Sequence, residues 1–504
     1  MKNWLLLPAA FACHLGVATT PAALASSPVS QAQIASAQPA AIVTQHVGTF
    51  NGKRVVYSAL VEPIDVPDAS GKPAARLVSF SYVARDQGKP ANRPVLFLFN
   101  GGPITPSIWL HMGSVGPKRI AFPDDLAADP SSYKLVDNAY SLLDVADLVF
   151  IDPASTGYSR TLPGTPPEAY FSVDSDAQQV SAFIVEWLKR HDRMQSPKYV
   201  LGESYGTNRA AAVTSQLAAR PEPVLLDGVV LFGQALNIVE YVQRSGNIMS
   251  HVVSLPTLAA LGWYHGKVEK NGRTFEAFLD EVRAFARTEY LTGLVQGNAL
   301  DVQTRERLAV RLAGYTGIPA GYFRVNDLKI SKERFRAELL KERGLLLGRA
   351  DARYTAPLTE KGLGPDPSNI TRPAFEQFMN QYVREHLKVT WDAPYVLDSP
   401  IKGIDEWDWG GSTPFSDWPY MSLIGKVMEQ APQLRVMMSN GYFDTMTTIG
   451  AMEYAAVQSG WPKERVSLAY YEGGHMAYTV ERSARKFADD LRAFMQAGQH
   501  EGGR

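Results

Sequence analysis

The sequence predicts an α/β protein: a mostly parallel, doubly wound sheet flanked by helices and interrupted by a mainly helical insertion. Three observations lead there. Val95-Leu96-Phe97-Leu98-Phe99 and Asp147-Leu148-Val149-Phe150-Ile151-Asp152 are short runs, apolar at nearly every position, as strands buried on both faces are. Strand-like runs then alternate with helical periodicity as far as Phe232, the pattern of parallel crossovers. From about Gln234 to Lys388 the alternation stops and the sequence becomes mostly helical.

In order, the chain opens with Lys2, an apolar stretch from Leu5 to Val17 and the small-residue site Ala23-Leu24-Ala25. This reads as a secretory signal over residues 1–25, cleaved after Ala25, and too short and broken by Pro8 to make a stable membrane span. Export to a periplasm or to the exterior follows. Residues 26–43 are rich in Ala, Ser, Gln and Pro without periodicity and read as a disordered leader. The core is expected in two parts, residues 44–233 and 391–504, with residues 234–390 as the helical insertion or cap. In the first part, Arg54 to Val61 and Leu77 to Val83 read as strands around a turn-rich segment. Ser175 to Arg190 reads as an amphipathic helix with Val180, Phe183, Ile184, Trp187 and Leu188 on one face, and Ser175 and Gln178 have capping-box spacing. Gly228 to Phe232 is the next strand. In the insertion, Phe275 to Tyr290 and Ser331 to Leu347 read as helices. In the second part, Leu434 to Ser439 and Val466 to Tyr471 read as strands, with helices at Ala451 to Gln458 and Glu481 to Gln496.

The stretch that organises the chain is Tyr199-Val200-Leu201-Gly202-Glu203-Ser204-Tyr205-Gly206, followed by an alanine-rich helix from Asn208 to Leu217. A strand, Gly-x-Ser-x-Gly and a helix in succession form the context of a nucleophile elbow, which stands the serine hydroxyl at a sharp turn. The helix that begins there directs its free N–H groups and positive dipole end at negative charge developing beside Ser204. A base and an acid must follow in the order Ser, Asp or Glu, His, just past strand ends. Asp444 follows the strand ending at Ser439, and His475 follows the strand ending at Tyr471. An imidazole takes the serine proton and returns it to the leaving group, while a carboxylate fixes its tautomer. Asp152 also ends a strand, but it precedes the serine and ranks second for the acid role. Oxyanion donors are expected from the Tyr205 N–H and from the glycine loop, with Gly102 favoured.

Asn100-Gly101-Gly102-Pro103, Asp152-Pro153-x-x-x-Gly157-Tyr158-Ser159, Gly202-Glu203-Ser204-Tyr205-Gly206, Asn440-Gly441-x-x-Asp444 and Gly474-His475-Met476 together resemble the motif set of the serine carboxypeptidases. The resemblance implies an α/β-hydrolase fold and release of C-terminal residues from peptides. It also implies Ser204, Asp444 and His475 as the triad, Gly102 and Tyr205 as oxyanion donors, and Asn100 with Glu203 as binders of the substrate's C-terminal carboxylate. One carboxylate binds another only by sharing a proton, so Glu203 should have a raised pKa; pairing with Arg209 is the bland alternative. The sequence departs from the family where Ile104 replaces a glycine and Thr105 a cysteine, and where Ser114 aligns with the family's second carboxylate-binding glutamate.

The 504 residues suffice for a large core, and 45% hydrophobic with 20% charged residues is an ordinary globular balance. A net charge of −1 gives no basic field for nucleic acid. Cys13 is the only cysteine and falls within the signal, so the mature chain should carry no disulfide. No metal cluster, phosphate loop or dinucleotide fingerprint occurs, and no cofactor is expected. The expected partner is a peptide substrate. An esterase or acyltransferase on the same triad is the alternative, since an acyl-enzyme passes to water or to another nucleophile. A non-catalytic envelope binding protein on a hydrolase scaffold is the remote one.

Overall fold

The computed structural model describes residues 39–68, 70–86, 90–244, 246–359, 364–411 and 415–501; the stretch expected as a secretory signal and most of that expected as a leader lie outside them. The chain enters a ten-stranded sheet through β1 (Ile42–Phe50), β2 (Lys53–Pro67) and β3 (Pro73–Ala84), paired antiparallel. β1 begins inside the stretch expected as leader. Its alternation of half-buried and exposed positions is that of a strand with one covered face.

The strands that follow along the sheet are β4 (Val95–Phe99), β5 (Asp147–Asp152), β6 (Lys198–Glu203), β7 (Gly228–Phe232), β8 (Arg435–Gly441) and β9 (Val466–Tyr471), and the tenth, the two-residue Arg160–Thr161, pairs antiparallel with β3 to one side of this path. Their order is β1-β2-β3-β5-β4-β6-β7-β8-β9, and every pair from β5 onward is parallel. The chain leaves β4 toward β5 on one side, whereas β6 leads to β7 on the other. β4 and β6 therefore flank a topological switch point, where open α/β sheets carry their sites.

Alternate side chains of each strand enter opposite faces. Phe97, Phe99, Val200, Leu231 and Met438 pack under α1 (Val173–Arg190) and α2 (Gly206–Ala218). Leu98, Phe150, Leu201, Phe232 and Tyr471 pack on the other face, with Leu491 of the C-terminal helix Glu481–Glu501. Trp187 ties α1 to the sheet: its ring meets Phe97 edge-on at 5.5 Å, and its indole N–H donates to Ser81 Oγ at 3.0 Å. The cap of α1 is Ser172, which accepts from Ser175 N–H at 3.0 Å, so the cap falls three residues before the capping-box spacing that starts at Ser175.

Between β7 and β8, α3 (Met249–Tyr264), α4 (Phe275–Phe285) and α5 (Val302–Thr316) build a third apolar cluster around Leu258, Phe278, Leu279, Leu308 and Leu312. The α4 ladder loosens into a π turn over Ala286–Tyr290, so the expected helix is α-helical only to Phe285. The expected helix Ser331 to Leu347 is shorter too. It is α-helical over Lys332–Glu338, and a left-handed Gly344 then turns the chain into the short strand Leu345–Leu347. The run Leu345-Leu346-Leu347 is apolar at helix and strand spacing alike, so periodicity alone misreads it. A helix at Tyr420–Gln430, not foreseen, lays Ile424, Val427 and Met428 onto the core beside α2.

Candidate active site

Every motif residue stands at the carboxyl edge of the sheet. Asn100 follows β4, Asp152 ends β5, Ser204 follows β6, and the Asp444 and His475 loops follow β8 and β9. At the elbow Ser204 adopts φ +60, a left-handed conformation that costs a non-glycine residue about 1–3 kcal/mol. Neighbours hold it there. Its N–H donates to Phe232 O at 2.9 Å, and its carbonyl accepts from the N–H and the hydroxyl of Thr207 at 2.9 and 2.7 Å. Gly202 is required because a Cβ there would lie 2.0 Å from Gly206 O, closing the strand-to-helix turn.

Asp444 and His475 form a buried pair. Nδ1 of His475 lies 2.7 Å from Asp444 Oδ2, which fixes the tautomer with Nδ1–H donating and Nε2 free to accept. The carboxylate is saturated: Oδ1 also accepts from Met446 N–H at 2.7 Å and Thr447 N–H at 3.1 Å, and Oδ2 from Thr447 Oγ1 at 2.6 Å. Burial alone would lower the His475 pKa, but the charge and hydrogen bond of Asp444, helped by Glu203, outweigh it and raise the imidazole above its ordinary value. The histidine loop is clamped from behind, where His475 N–H donates to Ala350 O at 2.6 Å and Gly474 N–H to Asp351 Oδ2 at 3.0 Å.

The imidazole lies over the end of β7: a Cβ on Gly233 would come 3.0 Å from His475 Cε1, and Gly233 follows the Phe232 carbonyl that holds Ser204 N–H. Ser204 and His475 are thus brought to one strand end. Among the described residues the Ser204 hydroxyl makes no hydrogen bond. Catalytic hydrogen bonds commonly tighten only with substrate bound.

The glycine loop closes against the elbow. A Cβ on Gly101 would meet Tyr205 N at 2.6 Å, so the loop backbone reaches the N–H expected as an oxyanion donor. Gly102 is exposed beside it, with φ +116. The Tyr205 side chain points away from the site, donating to Asp176 Oδ2 at 2.8 Å and packing on Trp407. Ile104, where the family has glycine, is buried with φ +49, a strained backbone for a β-branched residue.

Glu203 is 3% exposed, and burial pushes its pKa up to about 7. The positive charge of His475, the hydrogen bond from Tyr478 and the nearby Asn100 amide work against that rise, and Asp444 adds to it. The sequence alternative of a Glu203–Arg209 pair is overturned. Arg209 is fully buried against Asp176 at 2.7 Å and donates to the Asn100 carbonyl at 2.5 Å. Asp152, the second candidate acid, instead accepts from the N–H and the hydroxyl of Ser107 at 2.7 and 2.8 Å; burial raises it to about 6. Ser114 donates its hydroxyl to Leu110 O at 2.7 Å. Sequence reasoning missed Thr447, Asp351 and Tyr478, since a threonine, an aspartate and a tyrosine near a motif carry no signal of their own.

A mostly parallel sheet, a nucleophile elbow at its switch point, and an acid and a histidine after the last two strands define the class: an α/β-hydrolase. The family model described as serine carboxypeptidase matches residues 75–488, and the chain belongs to that family. It is a hydrolase of the serine carboxypeptidase type, acting on peptides. Among solved structures, the prohormone-processing carboxypeptidase from Saccharomyces cerevisiae is similar at 12% identity, TM-score 0.53, over 88% of this chain and 92% of that one. That similarity supports the fold. A proline iminopeptidase from Mycobacterium smegmatis (12% identity, TM-score 0.36, 88% of this chain and 100% of that one) and a thermostable carboxyl esterase from Bacillus coagulans (11%, 0.35, 87% and 98%) are more distant and carry no argument. No curated protein sequence matches. Among the described residues, no helix is long and apolar enough to cross a membrane.

Proposed function

We propose that Ser204, Asp444 and His475 form the catalytic triad of this carboxypeptidase. The observation that carries this is the buried 2.7 Å Asp444–His475 pair at the strand end that holds the Ser204 elbow. Ser204 Oγ attacks the last peptide carbonyl while His475 Nε2 takes its proton. The same nitrogen returns the proton to the departing amino group, leaving an acyl-enzyme that water hydrolyses by the reverse path. The backbone N–H groups of Tyr205 and Gly102 hold the tetrahedral oxyanion, supported by the approach of the glycine loop to Tyr205 N. Asn100 and a protonated Glu203 receive the substrate's terminal carboxylate, supported by the raised pKa of a buried glutamate without an arginine partner.

Residues 234–390 act as a cap over this edge of the sheet, a division supported by the apolar cluster of α3, α4 and α5. The protein is exported, to a periplasm or beyond, as the charged start, apolar stretch and Ala23-Leu24-Ala25 site support. Esterase or acyltransferase action remains the second reading, favoured by one observation: Ser114 is committed to Leu110 and adds nothing to a carboxylate site. A fluorophosphonate probe tests the triad. Stoichiometric labelling at Ser204, abolished in Asp444→Ala and His475→Ala, is expected; labelling elsewhere or none contradicts it.

A further inference from the structure

The geometry points to Tyr478 as a positioning residue that grips one oxygen of Glu203, so that the other oxygen and the Asn100 amide face the substrate's terminal carboxylate. This rests on the carboxylate-binding role proposed above for Glu203 and Asn100. Tyr478 Oη donates to Glu203 Oε2 at 2.6 Å, and the two side chains are 1% and 3% exposed. The tyrosine lies on the short turn Ala477–Thr479, directly after His475 and Met476, so one loop carries both the histidine and the grip on Glu203. Its ring has little freedom. Phe232 lies at 5.4 Å and Phe487 at 6.5 Å, and a Cβ on Gly113 would stand 2.6 Å from Tyr478 Cε2.

Asn100 is 1% exposed and fixed in orientation, because its Oδ1 accepts from Leu110 N–H at 3.1 Å. Its Nδ2 is then a buried donor without a hydrogen-bond partner. It lies close enough to Glu203 and Tyr478 to affect the titration of both, yet it reaches hydrogen-bond geometry with neither. A buried, unsatisfied amide N–H is costly, and a ligand acceptor is what would satisfy it. With Oε2 occupied by the tyrosine proton, a neutral Glu203 carries its own proton on Oε1. The site then offers two uncharged donors, Oε1–H and Nδ2–H, to the two oxygens of one carboxylate.

The titratable groups facing Glu203 are His475 and Tyr478 on the last loop and Asp444 on the loop before it; Arg349 in turn acts on His475. Donation by Tyr478 favours the ionised glutamate, so its removal raises the pH at which Glu203 loses its proton.

The test measures kcat/KM from about pH 5 to 9 for an N-blocked dipeptide and for its C-terminal amide, in the wild type, Tyr478→Phe, Glu203→Gln and the double variant. The ratio of acid to amide isolates Glu203, because His475 affects both substrates. In the wild type the ratio should fall with a midpoint near the Glu203 pKa. In Tyr478→Phe the midpoint should move to higher pH, and the low-pH ratio should drop about five-fold as the carboxyl loses its anchor. In Glu203→Gln the fall should vanish, and adding Tyr478→Phe should leave no midpoint to move. A wild type that cleaves acid and amide alike overturns the carboxypeptidase reading of this site and this inference with it. A wild-type preference whose midpoint is unmoved or lowered in Tyr478→Phe overturns this inference alone. Should that variant fail to fold by circular dichroism, the infrared difference between wild type and Glu203→Gln at low pH decides. A Glu203 carbonyl stretch lowered by hydrogen bonding is expected, and one at the frequency of a free acid overturns the assignment.

Discussion

Glu203→Gln should make the protein more stable at neutral pH and leave it unchanged in acid. Glu203 is buried with its pKa raised from 4.5 to about 7. In the unfolded chain the carboxyl ionises near its ordinary value; in the folded protein it keeps its proton until about pH 7. Across that window the unfolded state binds fewer protons, so folding stability falls as pH rises, and the loss is complete above the folded pKa. A shift of this size corresponds to about 3 kcal/mol. Glutamine does not titrate, and its carbonyl still accepts the Tyr478 proton. The stability difference should therefore be near zero at about pH 4 and reach about 3 kcal/mol by about pH 8, or roughly 3 °C in Tm for a chain of this length. Urea unfolding at both pH values measures it. Equal gains at both pH values, or a less stable glutamine variant at the higher pH, would refute an acid held neutral by burial.

Two further perturbations probe how the site is held and how the sheet is packed. Thr447→Val removes the hydroxyl that donates to Asp444 Oδ2 at 2.6 Å, a bond to a charged acceptor worth about 1.5–3 kcal/mol; kcat should fall about ten-fold or more, while an unchanged kcat would place Thr447 outside the catalytic support. Trp187→Ala empties a fully buried site between α1 and β4 and removes the indole donor to Ser81 Oγ, so unfolding should cost about 3–5 kcal/mol less, read from the denaturation midpoint.

How much of this was legible in the sequence depended on whether local pattern or tertiary contact decided each element. Strands such as Val95–Phe99 and Gly228–Phe232 are buried on both faces, and their apolar runs mark both ends. The elbow was legible because its two glycines answer a local steric demand. Asp444 and His475 could be found by chain order after strand ends, a rule of topology. Ser172 as the cap of α1 and the strand at Leu345–Leu347 were not legible, because nearby residues offer equally good local signals and packing chooses between them. Tyr478 and Thr447 act through contacts across the site, 275 residues apart in sequence for Tyr478 and Glu203, and no spacing rule reaches that far. The Glu203–Arg209 pairing failed for a related reason: a buried Asp176 on α1 takes the arginine first.

The most direct measurement follows cleavage of an N-blocked dipeptide, its C-terminal amide and a simple ester by the wild type and by Ser204→Ala, from about pH 4 to 8. Cleavage of the free acid well above the amide, lost in Ser204→Ala, is the predicted result. Ester cleavage alone would keep the serine but contradict carboxypeptidase action, and peptide cleavage surviving in Ser204→Ala would contradict the nucleophile itself.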